Sequence, residues 1–263
     1  MSANDWGQQP LIKTNVERIR SHLLALGLSQ GMNVAIHSKL LCFGRIEGGI
    51  GTLYKAIREI VGENATIIVP AYTLNIASDG MFNPEVTEPQ SMGGLSNYLF
   101  NKGKFCRTLN PLHSHFIDGP LRKRMMNADQ NISMGPGSIF QVMQDEGFKL
   151  LLLGCSFQEG ATFIHHIEAC KGVPYREWIN LKRTVTLPNQ TPKEVNIRYY
   201  ARRQNCGLQT NLDAIQDKLL TLNALRKVRF NFCDSYFMDM LELVNAVEKL
   251  MVANHNILMV EKI

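Results

Sequence analysis

Apolar residues recur every three to four positions through VERIRSHLLALGL (16–28), with polar residues between them, which predicts an amphipathic helix. Thr14 and Glu17 have the spacing of a capping box at its start, and Gly31 follows its end. The period then changes. NVAIHS (33–38) and ATIIVPAYT (65–73) are short, nearly continuous apolar runs that predict buried strands, and TLYKAIREIVG (52–62) predicts a helix stopped by Gly62. SMGGLSNYLFNK (91–102) and SIFQVMQDEG (138–147) predict shorter helices, and FKLLLLG (148–154) is the strongest central strand.

Apolar strands alternating with helices predict an α/β fold of three layers, α/β/α, with a mixed central sheet covered on both faces. After Arg176 the pattern alters. KRTVTLPNQTPKEVNIRYYARR (182–203) predicts two strands about a Pro/Asn/Thr-rich turn, followed by helices near 212–222 and 234–252. The expected organisation is one domain over residues 1–263. Within it, 1–178 carries the α/β part and 179–263 forms a small antiparallel β and helical lobe that helps to shape a cleft.

At 263 residues and 45% hydrophobic content, the chain can bury a full core. No apolar run nears the roughly eighteen residues of a bilayer span, and positions 1–14 carry no apolar leader, so a cytoplasmic location without membrane association is expected. Six cysteines (Cys42, Cys106, Cys155, Cys170, Cys206, Cys233) lack CxxC spacing, which leaves mostly buried thiols rather than a zinc ribbon or a disulfide framework. The formal charge is +5, with Lys and Arg concentrated modestly in 182–203 and 226–229. Aromatic residues do not interleave with them, so no nucleic-acid partner is expected, whereas a basic surface suits a small anionic ligand.

In open α/β sheets ligands bind beyond the carboxyl ends of the strands, and four such places carry polar chemistry. In HSKLLCFGRIEGGIGT, His37 and Ser38 leave a strand and glycines precede a helix near Thr52; free backbone N–H groups there suit an anion. The spacing fits neither a dinucleotide fingerprint nor a P-loop. In PAYT, Tyr72 and Thr73 either meet a ligand or cap a turn. In RTLNPLHSHF, strand alternation puts His113 and His115 on one face and Ser114 on the other. In TFIHHIEACKGVPYR, His165 and Glu168 are three apart and share a helix face, while His166 points about 100° away. A carboxylate so placed can hold an imidazole in one tautomer and steady its protonated form, which would make His165 a general base. A structural pair at a helix start is the competing reading. A metal site would need a third ligand and no HExxH spacing is present, so no metal is expected.

Taken in order, HSKLLCFGRIEGGIGTLYKAI, GENATIIVPAYT, FNPEVTEPQSMGGLSNYL, RTLNPLHSHF, GSIFQVM, KLLLLGCSF and TFIHHIEACKGVPYR resemble the aminoglycoside 3-N-acetyltransferase family over about residues 34–176. These are acetyl-CoA-dependent enzymes unrelated in fold to the GNAT acetyltransferases. The resemblance implies acetyl transfer from acetyl-CoA to the amine of an amino sugar. It implies His165 as base, Glu168 as its support and Thr162 at the helix entrance. It implies contacts to coenzyme A from His37, Ser38, Leu40, Gly48, Gly49, Thr52 and Ser114. Tyr72, Thr73, Asn110, Tyr175 and Arg176 are the expected acceptor-binding residues. Asn110 stands where the family often has histidine, and PAYT replaces the common PTQT, so the acceptor is the part that departs.

An amine attacks a thioester only as the free base, and the tetrahedral oxyanion needs a donor; backbone N–H groups around Ser38 to Leu40 and the Thr162 hydroxyl are candidates. Net positive charge suits a nucleotide-linked amino sugar better than a polycationic aminoglycoside, so the former is the expected acceptor and the latter the alternative. A hydrolase using Ser38 or Ser114 would be expected to show a G-x-S-x-G elbow, which is absent, and a noncatalytic sugar- or coenzyme-binding relative would not need the His165–Glu168 pair. A homodimer is left open.

Overall fold

A strand covered on both faces has no polar side to show, and the leucine run 150–153 lies at such a place in the computed structural model, which describes residues 12–76, 80–204 and 206–261. Residues 1–11, most of the stretch without an apolar leader, fall outside that description. In chain order, β1 (Lys13–Thr14) and α1 (Val16–Leu26) precede β2 (Val34–Ser38), a 3-10 turn (Leu40–Phe43), β3 (Arg45–Ile46), α2 (Ile50–Val61), β4 (Ile67–Pro70) and β5 (Met81–Phe82). Next come α3 (Gly93–Lys102), β6 (Cys106–Arg107), β7 (His115–Asp118), α4 (Arg122–Met126), α5 (Ile139–Asp145), β8 (Lys149–Leu153), α6 (Phe157–Gly160) and α7 (Phe163–Lys171). Last are β9 (Arg176–Val185), β10 (Lys193–Arg202), β11 (Leu208–Thr210), α8 (Gln216–Thr221), β12 (Arg226–Phe230), β13 (Cys233–Asp239), α9 (Met240–Ala253) and β14 (Met259–Glu261).

The central sheet has seven strands in the order β12-β13-β8-β2-β4-β7-β6. Its middle, β8, β2 and β4, is parallel, and the strands on either side run antiparallel, so the sheet is mixed as the apolar pattern predicts. Alternation along each strand divides the core in two. Leu151, Leu153, Ile36 and Val69 pack with α1, α2 and α3 on one face, and Leu150, Leu152, Ala35 and Ile68 pack with α5, α7 and α9 on the other. These are the three layers. A second sheet, β10-β9-β5, holds the hairpin expected around 182–203, with ten residue pairs from Lys193↔Val185 to Arg202↔Arg176.

Three expectations are corrected. Residues 233–239 are not the start of a helix but strand β13, which pairs with β8, so the C-terminal third supplies two strands to the central sheet as well as the smaller sheet. The helix begins after Asp239, whose carboxylate accepts from the Leu241 and Glu242 N–H groups. At α1 the cap is Asn15, which accepts from Arg18 N, because Thr14 is drawn into β1 and gives its hydroxyl to Phe43 O; the helix closes at Gly27, four residues before Gly31. Of the six free cysteines only Cys42 and Cys155 are buried, and Cys170 is exposed. No helix among the described residues is long and apolar enough to cross a membrane.

The parallel strands β2 and β8 end side by side, with Ser38 opposite Leu153. Gly154 then turns the chain at φ +68°, and a Cβ there would lie 2.6 Å from Lys39 O and 2.7 Å from Cys42 Sγ. Ser156 and Glu159 cap α6 reciprocally, and α7 follows at once. The catalytic-looking helix therefore starts just beyond the carboxyl ends of the central strands.

Candidate active site

His165 stands in the first turn of α7 and is half-buried, while Glu168, one turn on, is fully buried. His165 Nδ1 lies 2.6 Å from Glu168 Oε2, a contact that the i,i+3 spacing predicts. Two further side chains hold Glu168, and one of them also meets the imidazole. Arg176 Nε lies 2.7 Å from the same oxygen, Tyr175 OH donates to Oε1 at 2.9 Å, and Arg176 Nη2 is 2.9 Å from His165 Nδ1. Burial opposes the charge of Glu168, yet the His165 hydrogen bond and charge, Arg176 and the Tyr175 phenol hold its carboxyl below the usual range. Burial and the neighbouring carboxylate push the Tyr175 phenol up, which keeps it a donor. In the tautomer that carries its proton on Nδ1, against the carboxylate, the imidazole presents Nε2 as a free lone pair.

Tyr175 and Arg176 are buried and spend their polar atoms on this cluster, with Arg176 Nη1 also donating to Tyr200 O at 3.2 Å. They are supports for His165 and Glu168 rather than the acceptor contacts expected from the sequence. His166 points elsewhere, as the helix geometry requires. It is fully buried, its Nδ1 accepts from Gly135 N at 3.1 Å, and burial lowers its pKa to about 4.

A cleft of about 430 Å³ opens at the end of β2 and reaches Gly160, three residues before α7. Three expected coenzyme residues, His37, Ser38 and Leu40, line it, and so do Gly93, Cys155 and Glu159, which sequence reasoning had not assigned to the site. Gly93 has φ +81° at the start of α3, and a Cβ there would meet Ser38 O at 2.6 Å, so only glycine lets this helix close against the strand end. Burial lowers the pKa of His37 to about 4. The expected loop residues Gly48, Gly49 and Thr52 sit at the exposed start of α2, where no side chain caps the helix. That start packs against α3: a Cβ on Gly94 would meet Ile50 Cδ1 at 2.8 Å, and one on Gly51 would meet Tyr98 OH at 2.9 Å. Cleft and loop are thus joined through α3.

Three other expected residues are not brought to this place. Ser114 is fully buried; its hydroxyl donates to Ala71 O at 2.6 Å and accepts from Arg107 Nε at 3.0 Å, which uses it up inside the sheet. Thr73 donates its hydroxyl to Pro111 O. Asn110 accepts from the Leu112 and His113 N–H groups at 3.0 and 2.8 Å and donates to Gln130 O at 2.9 Å, so it shapes its own loop. Tyr72 is buried between His113 and His115, with ring centroids 4.9 and 5.2 Å away. His113, also buried, feels the charge of His165 and has its pKa lowered to about 3, mainly by burial. Both histidines stand on the Tyr72 side, opposite Ser114, as strand alternation predicts. Among the described residues, no group of three or more His, Cys, Asp or Glu is placed to hold a metal ion.

The family model for aminoglycoside 3-N-acetyltransferase matches residues 35–252. The chain belongs to this family. It is accordingly an acetyl-CoA-dependent N-acetyltransferase. Aminoglycoside N(3)-acetyltransferase VII of Streptomyces paromomycinus is 25% identical over 201 residues, 69% of this chain and 68% of that protein. The aminoglycoside N(3')-acetyltransferase-like protein YokD of Bacillus subtilis is 24% identical over 186 residues, 62% of this chain and 67% of its own length. In fold, the chain matches the structure of AAC-IIIb in binary complex with CoASH at a TM-score of 0.79 and 19% identity, covering 92% of this chain and 98% of that one.

Proposed function

We propose that the protein acetylates an amine of an aminoglycoside, with acetyl-CoA lying in the cleft at the end of β2 and His165 as the base. The observation that carries this is the His165–Glu168–Arg176–Tyr175 cluster on the helix that follows β8, with the segment just before that helix, Cys155 to Gly160, lining a cleft together with His37, Ser38 and Leu40. His165 takes the proton of the attacking amine at Nε2, while Glu168 steadies the imidazolium through Nδ1. The amine nitrogen bonds to the thioester carbon, the carbonyl π pair moves to oxygen, and collapse expels coenzyme A thiolate. That thiolate takes up the proton His165 has accepted, so an amide and free coenzyme A leave the site.

Net charge favours a nucleotide-linked amino sugar, but the family match and the names of the relatives support the polycation, and we take that acceptor as the main reading. The charge observation still defines the rival arm: besides Arg176, which is paired with Glu168, the β9–β10 hairpin carries Lys182, Arg183, Lys193, Arg198 and Arg202 against Glu177 and Glu194. Release of free coenzyme A thiol is measured with a kanamycin-type aminoglycoside and, separately, with a uridine diphosphate amino sugar. Release with the aminoglycoside is expected; release with the nucleotide sugar alone would move the acceptor to the other class. A cytoplasmic location suits an enzyme that draws on acetyl-CoA and keeps free thiols.

A further inference from the structure

Lys39 and Glu159 are the formally charged residues in the lining of the cleft at the end of β2. The other titratable groups there are neutral: burial lowers the pKa of His37 to about 4, and burial with the nearby charge of Glu159 pushes the Cys155 thiol up to about 12. Lys39 and Glu159 are spent on each other. Lys39 Nζ donates to Glu159 Oε1 at 2.7 Å, and that bond raises the pKa of Lys39 and lowers that of Glu159, so both stay charged. A cleft that takes a phosphate-bearing coenzyme thus offers one cation, and a carboxylate already holds it.

The two partners differ in freedom. Glu159 Oε2 accepts from Ser156 N at 3.0 Å and from Ser156 Oγ at 3.1 Å in the reciprocal cap of α6. The next turn braces α6 in its place: Thr162 N donates to Gly160 O at 2.9 Å, and Thr162 opens α7 with a helical backbone, φ −54° and ψ −28°, and no side-chain cap bond. Lys39 is fixed at its backbone, where its N–H donates to Leu153 O at 2.9 Å, but its ammonium has no second partner among the described residues and sits on a flexible four-carbon stem. The pair stands at the solvent edge, with side chains 58% and 47% exposed, where an ion pair costs little to open. A bond from an ammonium to a phosphate is of the stronger, charge-assisted kind. The cation is therefore the partner that moves.

We propose that Lys39 is a phosphate contact of the coenzyme, its ammonium leaving Glu159 for a phosphate oxygen on binding, and that Glu159, held on Ser156, competes for that cation. This rests on acetyl-CoA lying in the cleft and adds to it two residues that the sequence reading did not assign to the site. The competition weakens binding of every donor or product that carries the phosphate, so it speeds the exit of spent coenzyme as much as it opposes entry. The phosphate is one of the diphosphate or the one on the ribose, which present the same oxygens to an ammonium.

The test compares three donors: acetyl-CoA, acetyl-dephospho-CoA, which lacks the ribose phosphate, and S-acetylpantetheine, which has no phosphate. Affinity is read as Kd by calorimetry and as KM by thiol release. Lys39→Met should weaken acetyl-CoA about threefold to tenfold and leave S-acetylpantetheine unchanged, and Lys39→Arg should keep most of the affinity. Glu159→Gln, whose amide oxygen still accepts from Ser156 N, should tighten acetyl-CoA about threefold and not S-acetylpantetheine. That gain should shrink in the Lys39→Met background, because it acts through Lys39. A Lys39→Met loss that persists with acetyl-dephospho-CoA assigns the contact to the diphosphate, and one that vanishes assigns it to the ribose phosphate; both support the proposal. If Glu159→Gln does not fold, the two Lys39 variants decide alone. Unchanged acetyl-CoA affinity in Lys39→Met, an equal loss with S-acetylpantetheine, or a Glu159→Gln gain of the same size in both backgrounds would overturn the proposal. A wild type that binds none of the three donors would overturn the coenzyme reading itself, a result distinct from normal binding that ignores Lys39.

Discussion

Replacing Arg176 by Met leaves the fully buried Glu168 carboxylate with only His165 and Tyr175 for partners. A buried charge that loses its cation is strongly destabilising, so urea unfolding should show a loss of about 3 kcal/mol. Turnover should fall as well, since the carboxylate would draw more of the His165 proton than it should. Tyr175→Phe, which removes one hydrogen bond from the same carboxylate, should cost about 1 to 2 kcal/mol. The pairing of His165 with Glu168 was legible from their spacing on one helix face. The roles of Tyr175 and Arg176 were not, because nothing local says that the turn after Gly172 folds both side chains back under the carboxylate. Ser114, Thr73 and Asn110 misled for the opposite reason. Polar residues at strand ends are as often consumed by neighbouring carbonyls as offered to a ligand, and only the hydrogen-bond partners tell which.

Among the elements, α3 bears most on the cleft, because its first residue closes against the end of β2. Gly93→Ala puts a Cβ into a left-handed position 2.6 Å from a backbone carbonyl. A melting temperature lower than wild type and a raised KM for acetyl-CoA are expected, since helix and strand end must part; an unchanged KM would separate this contact from the coenzyme. Strands β2, β4 and β8, helix α2 with its stop at Gly62, and the β9–β10 hairpin were legible, each from an apolar run or period bounded by a turn residue. Strand β13 was hidden. Tyr236, Phe237, Met240, Leu241, Leu243 and Val244 continue a helical period across the strand boundary, so periodicity alone merged β13 with α9. The true helix start carried its own signal, Asp239 with Glu242 three residues later, and the Asp239 carboxylate is the cap. At α1 the capping signal was shifted by one residue for a tertiary reason, the pairing of β1 with β3.

Across the whole molecule, burial keeps five histidines neutral: His22, His37 and His166 have pKa values of about 4, His113 about 3, and His115 lies well below 6.5. Once unfolded, each takes a proton near 6.5, so the unfolded chain binds more protons and stability falls as pH drops from about 6.5 to about 4. Each group contributes a slope of up to about 1.4 kcal/mol per pH unit. Below about 4.5, the ordinary value of its carboxyl, the depressed Glu168 adds to the loss. Melting temperatures from pH 7.5 to 4 should therefore decline steeply in the lower half of that range, and a flat curve would mean these imidazoles are not held neutral. Cys155, Glu159 and Gly160, just ahead of the α7 cluster in the chain, meet His37, Ser38, Leu40 and Gly93, from far earlier, in the lining of one cleft. Whether that meeting makes His165 the base is tested most directly by His165→Ala, with turnover measured by thiol release at saturating substrates and acetyl-CoA affinity measured by calorimetry. Turnover should fall about a hundredfold to ten-thousandfold while affinity stays near that of the wild type; undiminished turnover would contradict the assignment.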